Sequence, residues 1–312
     1  MARDHGHRLS GAVDDGAVRT VSKAKTPRLD PEIQSYYERA PEESRLESGT
    51  SRLEAARTRE LILRYAPKPP ASVIDVGGAA GPYSFWLAEQ GFEVRLVDAS
   101  ARLIDVARAR NDKATRPLAS CAVRDARDLR EADASADMVL MLGPLYHLVE
   151  APDRRRALLE ALRVLRPGGI LIAAAISRWA SVLDGMSRGF LNDPEFGGIV
   201  DTDLAKGVHR NPTGAIEYFT TAYFHRPQDL RAEVADAGFD VEGPFGIEGP
   251  GWMFPDFDER WADERRRAIL LDAARRLESE PSVIGCSAHL LVVGRKPDSV
   301  SPIKRRARSR QR

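Results

Sequence analysis

The chain has 312 residues and a formal net charge of +1, its 47 Lys and Arg offset by 46 Asp and Glu. That balance excludes a strong overall attraction for nucleic acid or an anionic membrane. No apolar run reaches the ~18 residues that a spanning helix needs, and the length suffices for one large core with an appended lid.

Residues 1–30 are rich in Gly, Asp and Arg without periodicity and are expected to form a disordered tail. They contain no apolar signal core, so the expected location is cytoplasmic. Residues 31–67 read as a helical N-terminal cap carrying Tyr36, Tyr37, Arg45 and Arg52. Arg57 and Glu60 within it lie one turn apart, spaced for a simple surface pair.

Next comes Ser72–Val76, an apolar strand that runs into Gly77-Gly-Ala-Ala-Gly81, with a helix opening at about Gly81. A second strand, Glu93–Val97, ends at the acid Asp98. Glycines admit a ligand close to the backbone, and an acid placed there can grip two ribose hydroxyls. A dinucleotide fingerprint fails in register, because Ala79 and Pro82 stand where its second and third glycines belong. Ala79 carries a Cβ, so it requires φ below zero or mild strain.

Cys121–Ala126 reads as a third strand ending in Asp125, which is alternatively a helix N-cap. Asp137–Gly143 reads as a fourth strand; Gly143-Pro144 then bends the chain away and presents Tyr146 and His147. Leu158, Leu159, Leu162 and Leu165 mark one helical face, stopped by Arg166-Pro-Gly-Gly169, and Ile170–Ala175 is a fifth buried strand. Residues 176–222 form an insert without obvious periodicity that holds Trp179, Met186, Phe190, Phe196, Tyr218 and Phe219, read as a substrate lid or, alternatively, a homodimer contact. Beyond His225 follow a helix over Gln228–Ala237, a strand over Phe239–Phe245, a helix over Arg260–Leu277 and a strand over Val283–Gly294. Cys121 and Cys286 are read as reduced core residues in strands, and His209 and His289 as loop and strand residues without function. Residues 299–312 form a basic tail, either simply solvated or binding RNA or a partner.

The spacing Asp75-x-Gly77-x-Ala79-x-Gly81, with Asp98, Asp125 and the stretch Arg163-Val-Leu-Arg-Pro-Gly-Gly169, resembles the class I S-adenosylmethionine-dependent methyltransferases, a bacterial small-molecule subgroup in particular. The resemblance spans residues 33–297. It implies an α/β Rossmann-like sheet of seven strands with the last antiparallel, built from residues 70–175 and 227–297. It further implies S-adenosyl-L-methionine as cofactor, held by Asp75, Gly77, Gly78, Gly81, Asp98, Asp125, Ala126 and Leu142, with Tyr37 folded over the donor. The implied reaction is an in-line methyl transfer to an oxygen or nitrogen of a small-molecule acceptor, in which alignment and exclusion of water matter most.

If the acceptor must lose a proton, His147 and His225 are the candidate bases, since histidine titrates near neutral pH, and Tyr146 is a pocket residue beside them. His147 has packing or capping of the next helix as its alternative role. The competing function is an RNA methyltransferase that uses the basic tail. Against it, Gly143-Pro-Leu-Tyr146 replaces the amino-methylating Asn/Asp-Pro-Pro-aromatic motif, and no paired cysteines are present. A nicotinamide oxidoreductase is disfavoured by the failed glycine register. A non-catalytic cofactor-binding regulator is the third alternative.

Overall fold

The structure, a computed structural model, describes residues 29–40 and 42–298; both predicted tails lie outside the described residues, save Leu29 and Asp30. In chain order, α1 (Pro31–Arg39) and α2 (Ser51–Tyr65) precede β1 (Ser72–Val76), α3 (Pro82–Glu89), β2 (Glu93–Asp98), α4 (Ala101–Asn111), β3 (Ser120–Val123) and β4 (Ala136–Met141). Then follow α5 (Pro144–His147), α6 (Ala151–Val164), the long β5 (Leu165–Ser177), α7 (Ala180–Arg188), α8 (Pro194–Lys206) and the short strands β6 (Val208–His209) and β7 (Ala222–His225). The last elements are α9 (Pro227–Asp236), β8 (Asp240–Gly246), α10 (Phe257–Ala262), α11 (Glu264–Leu277) and β9 (His289–Arg295).

Local chemistry sets the boundaries. Pro82 starts α3 just after Gly81, whose φ of 82° only glycine adopts freely. Ser100 caps α4 by accepting from the Leu103 amide. Asp263 caps α11 by accepting from the Arg266 amide, and so divides the single helix expected over 260–277 into α10 and α11. The final strand is shorter than expected: residues Ile284–Cys286 make a 3₁₀ turn before β9, so Cys286 is half-buried in a turn and outside the strand.

Strands β3-β2-β1-β4-β5 run parallel in that order, and β9 pairs antiparallel with both β5 and β8. This is the expected seven-stranded arrangement, enlarged to nine by β6 and β7. The enlargement has a plain cause. β5 extends to Ser177 whereas β4 last pairs with it at Ala173, so Ile176 and Ser177 keep an open edge that Phe224 and His225 of β7 occupy.

Alternating residues of each strand feed two cores, as the two-residue period of a pleated sheet requires. Ile74, Val76, Val139, Met141, Leu171 and Val292 pack with Leu158, Ala161 and Leu230 of α6 and α9. Val73, Leu96, Met138, Leu140, Ile172 and Leu291 face the other way, against Leu61 and Ile62 of α2, Phe85 of α3 and Ile104 of α4. The insert has structure that its sequence hides, because its helices are short and carry Gly185, Gly197 and Gly198. Phe190, Phe196 and Tyr218 pack edge-on or tilted against one another at ring separations of 4.7–5.5 Å, giving the insert its own aromatic cluster.

Candidate active site

The carboxyl ends of β1, β2 and β4 open into a cavity of about 540 Å³ roofed by α1 and the start of α2. Its floor is the turn after β1. Gly77 donates to the Val97 carbonyl at 2.7 Å and Gly81 to the Gly78 carbonyl at 2.8 Å, so the loop is fastened to β2. A Cβ on Gly77, where φ is +70°, would lie 2.5 Å from Pro144; one on Gly78 would lie 2.5 Å from the Asp75 carboxylate. Both positions therefore need glycine. Ala79 has φ of +52°, so the strained alternative expected for it is the one realised.

Two acids hold this turn. Asp75 is buried beneath it, accepts from the Ser84 hydroxyl at 2.6 Å, and is pushed up to about 6 by burial. Asp98 accepts from the Ala79 amide at 2.9 Å and from the Ser100 amide at 2.7 Å, one to each oxygen. Burial raises its pKa although those amides pull it down. A carboxylate has about four acceptor positions, so Asp98 can still take two hydroxyl donors from the cavity. Asp125, Ala126 and Leu142 also line the cavity, as do Asp75, Gly77, Gly78, Asp98, Tyr37, Tyr146 and His147; Gly81 shapes the turn from behind. The Asp125 carboxylate is already engaged, since Arg127 donates to it at 2.8 and 2.6 Å.

The predicted bases divide. The His147 Nδ1 faces the Thr221 carbonyl at 3.3 Å, which can only accept, so Nδ1 carries the proton. Its Nε2 then accepts from the Tyr37 hydroxyl at 2.5 Å. Burial lowers this imidazole to about 4, so it is neutral, and its one lone pair belongs to Tyr37. The ring is a latch for α1 more than a free base. His225 is a correction: it is wholly buried, does not line the cavity, and pairs with Glu233 at 3.3 Å on the far side of β7. The proline that follows starts α9, whose packing pulls His225 into the core.

His289 and its neighbours form a group with no signature in the sequence, where His289 reads as a strand residue without function. His289 stands at the cavity wall at the start of β9, and Nδ1 meets the Glu248 carboxylate at 2.5 Å. Glu54 of α2 lies 3.9 Å from the same nitrogen and is gripped by both terminal nitrogens of Arg45, at 2.7 and 2.8 Å. Burial opposes charge on His289, but Glu54 and Glu248 outweigh it and raise the imidazole to about 9. Burial likewise opposes charge on Glu54, and Arg45 with His289 hold it down to about 2. Three stretches distant in sequence, Arg45 with Glu54, Glu248, and His289, meet here, and no periodicity within any of them could announce the encounter.

The fold and this floor define an adenosine-type site. Its carboxylates suit hydroxyl donors and a cationic centre and would repel a pyrophosphate, and the aromatic rings of Tyr37 and Tyr146 can face a sulfonium. The residues thus fit S-adenosylmethionine. A family profile described as "Methyltransferase domain" matches residues 73–169. The glycine/sarcosine N-methyltransferase of Parasynechococcus marenigrum is 30% identical over 63% of this chain and 72% of its own length. The ubiquinone/menaquinone biosynthesis C-methyltransferase of Acidiphilium cryptum is 33% identical over 38% of this chain; that match spans about half of the relative, 48%. The tRNA 5-carboxymethoxyuridine methyltransferase of Escherichia coli is 25% identical over 73% of this chain and 80% of its own. A solved S-adenosylmethionine-dependent methyltransferase from Methanosarcina mazei shares the fold, with a TM-score of 0.52 and 18% identity over 77% of this chain and 98% of the other. The chain belongs to the class I S-adenosylmethionine-dependent methyltransferases, and S-adenosylmethionine is its cofactor.

Proposed function

We propose that the protein methylates an oxygen or nitrogen of a small-molecule acceptor. The observation that carries this reading is the roof. Tyr37 is fastened to His147, and Arg102 of α4 donates to the Tyr37 carbonyl at 2.7 Å. At the other edge Thr221 bonds Glu32, and Arg210 lies 3.6 Å from the same acid. A cavity of about 540 Å³ closed in this way suits a cofactor with a compact acceptor and is short of room for a structured polymer.

Within this reading Asp98 grips the ribose hydroxyls, while Gly77 and Gly78 admit the methionyl part to the backbone. Ala126 and Leu142 border the base, with Asp125 positioned through Arg127. The cofactor supplies an activated methyl on sulfur. The chain's contribution is to bind and align: the cap 31–67 excludes water, and the insert 176–222 borders the acceptor through Arg210 and Thr221. The relative that acts on glycine and sarcosine supports a nitrogen acceptor, and the near-neutral net charge supports a small one.

A second reading, methylation of tRNA, is favoured by the E. coli relative and by the six Lys and Arg of residues 299–312. One assay separates the two. Incubation with methyl-labelled cofactor and either a cell metabolite pool or total tRNA is expected to place label in the metabolites. Label confined to tRNA, with binding that weakens steeply as salt rises, would reverse the assignment.

A further inference from the structure

If the acceptor is a hydroxyl or an ammonium-derived amine, some group must receive its proton, and neither predicted histidine is available. The carboxyl groups on the cavity wall are almost all committed. Asp75 and Asp98 hold the glycine turn, and Asp125 and Asp153 share Arg127. Glu54 is chelated by Arg45 and Asp30 caps α1, while Glu150 makes no side-chain hydrogen bond but stands exposed to water at the start of α6. Glu42 differs. It stands in the link between α1 and α2, lines the cavity, and its side chain is only 12% exposed. Among the described residues its one ion pair is with the Arg45 Nε, 3.5 Å from Oε2, and no hydrogen bond reaches Oε1.

We propose that Glu42 is the general base of the methyl transfer, its free carboxylate oxygen facing the acceptor atom. This rests on the small-molecule methyltransferase reading above. In the step, the acceptor's oxygen or nitrogen forms its bond to the methyl carbon as the carbon–sulfur bond breaks. The bonding pair stays on sulfur, which becomes a neutral thioether, and the acceptor's proton passes to Glu42 and later to water. Burial raises the Glu42 carboxyl above the usual range against the pull of Arg45, and this brings it nearer the proton affinity a base at neutral pH requires. The charged groups that face it are Arg45, Glu54, Glu43 and Arg102. The phenols of Tyr36, Tyr37 and Tyr146 also face it, from α1 and α5.

The test needs no known acceptor. Sinefungin replaces the methyl-bearing sulfur by a carbon bearing an amine, so it places an ammonium where the methyl emerges. S-adenosylhomocysteine has nothing there. Calorimetry on the full chain is expected to show tighter binding of sinefungin, with that preference falling as the pH is lowered and Glu42 takes up a proton. Glu42→Gln is expected to reduce the preference about tenfold and remove its acid dependence, leaving S-adenosylhomocysteine binding unchanged. Glu42→Asp, which keeps the charge, should retain the preference within about threefold. An unaltered preference in Glu42→Gln, or an equal loss in both variants, overturns the proposal. Failure of S-adenosylhomocysteine to bind the unmodified protein would instead overturn the cofactor reading on which it rests.

Discussion

The Asp98 carboxylate fixes the turn through the Ala79 and Ser100 amides, and in the proposed site its remaining lone pairs take the ribose hydroxyls. Its charge makes each of those bonds stronger than a neutral one would be. Asp98→Asn keeps the shape but replaces one acceptor oxygen with a donor group. The expected result is an S-adenosylhomocysteine affinity lower by about 10–100-fold and a lowered unfolding midpoint as well, because either the Ala79 or the Ser100 amide loses its acceptor. Titration calorimetry with a parallel melt measures both. Unchanged affinity would mean that the ribose lies elsewhere. The glycine turn was legible because each of its residues acts through its own backbone. Gly77 and Gly78 announce their close approach by lacking a Cβ, and Ala79 announces strain by having one.

At the scale of elements, α1 is a cap tied down by side chains more than by an apolar face, for Ile33 is the one buried residue of the helix. Its principal tie joins Tyr37 to His147, residues 110 apart in the chain. A double-mutant cycle in urea with Tyr37→Phe and His147→Ala should give a coupling of about 0.5–1.5 kcal/mol. Strict additivity would show that the two rings merely adjoin. The same tie sets the state of His147. A histidine after a Gly-Pro bend is correctly placed at the cavity mouth by local rules. Which nitrogen is free depends on Tyr37 and Thr221, and those arrive from other elements. His225 went astray for a like reason: only the pairing of β7 with β5 shows that it faces the core.

Across the whole molecule, the Arg45–Glu54–His289–Glu248 cluster joins the cap to β9 and makes stability depend on pH. The His289 value in the fold, about 9, exceeds the ordinary 6.5, so its contribution is complete below about pH 6.5 and is lost as pH rises through 9. Glu54, held at about 2 against 4.5, contributes fully above about pH 4.5 and loses that contribution as pH falls through 2. The cluster is therefore most stabilising near pH 4.5–6.5. His289→Gln should remove on the order of 2–3 kcal/mol of the decline between pH 6 and 9, seen as a flatter alkaline limb of the unfolding midpoint. Equal slopes in the two proteins would show that His289 is not held charged.

Resemblance to the methyltransferases implied the antiparallel close, while the sequence by itself marked the five strands β1 to β5, the glycine turn after β1 and the acid that ends β2. These follow from short-range regularities: apolar alternation, a turn that only small residues permit, and an acid at a strand end. The tertiary structure alone decided the division of the last long helix, the two added strands, the burial of His225 and the charged wall around His289. It also decided that, among the described residues, no hydrogen bond reaches one oxygen of Glu42. Each of these depends on which side chains from separate elements meet and neutralise one another, and a linear chain carries no local periodicity for such meetings.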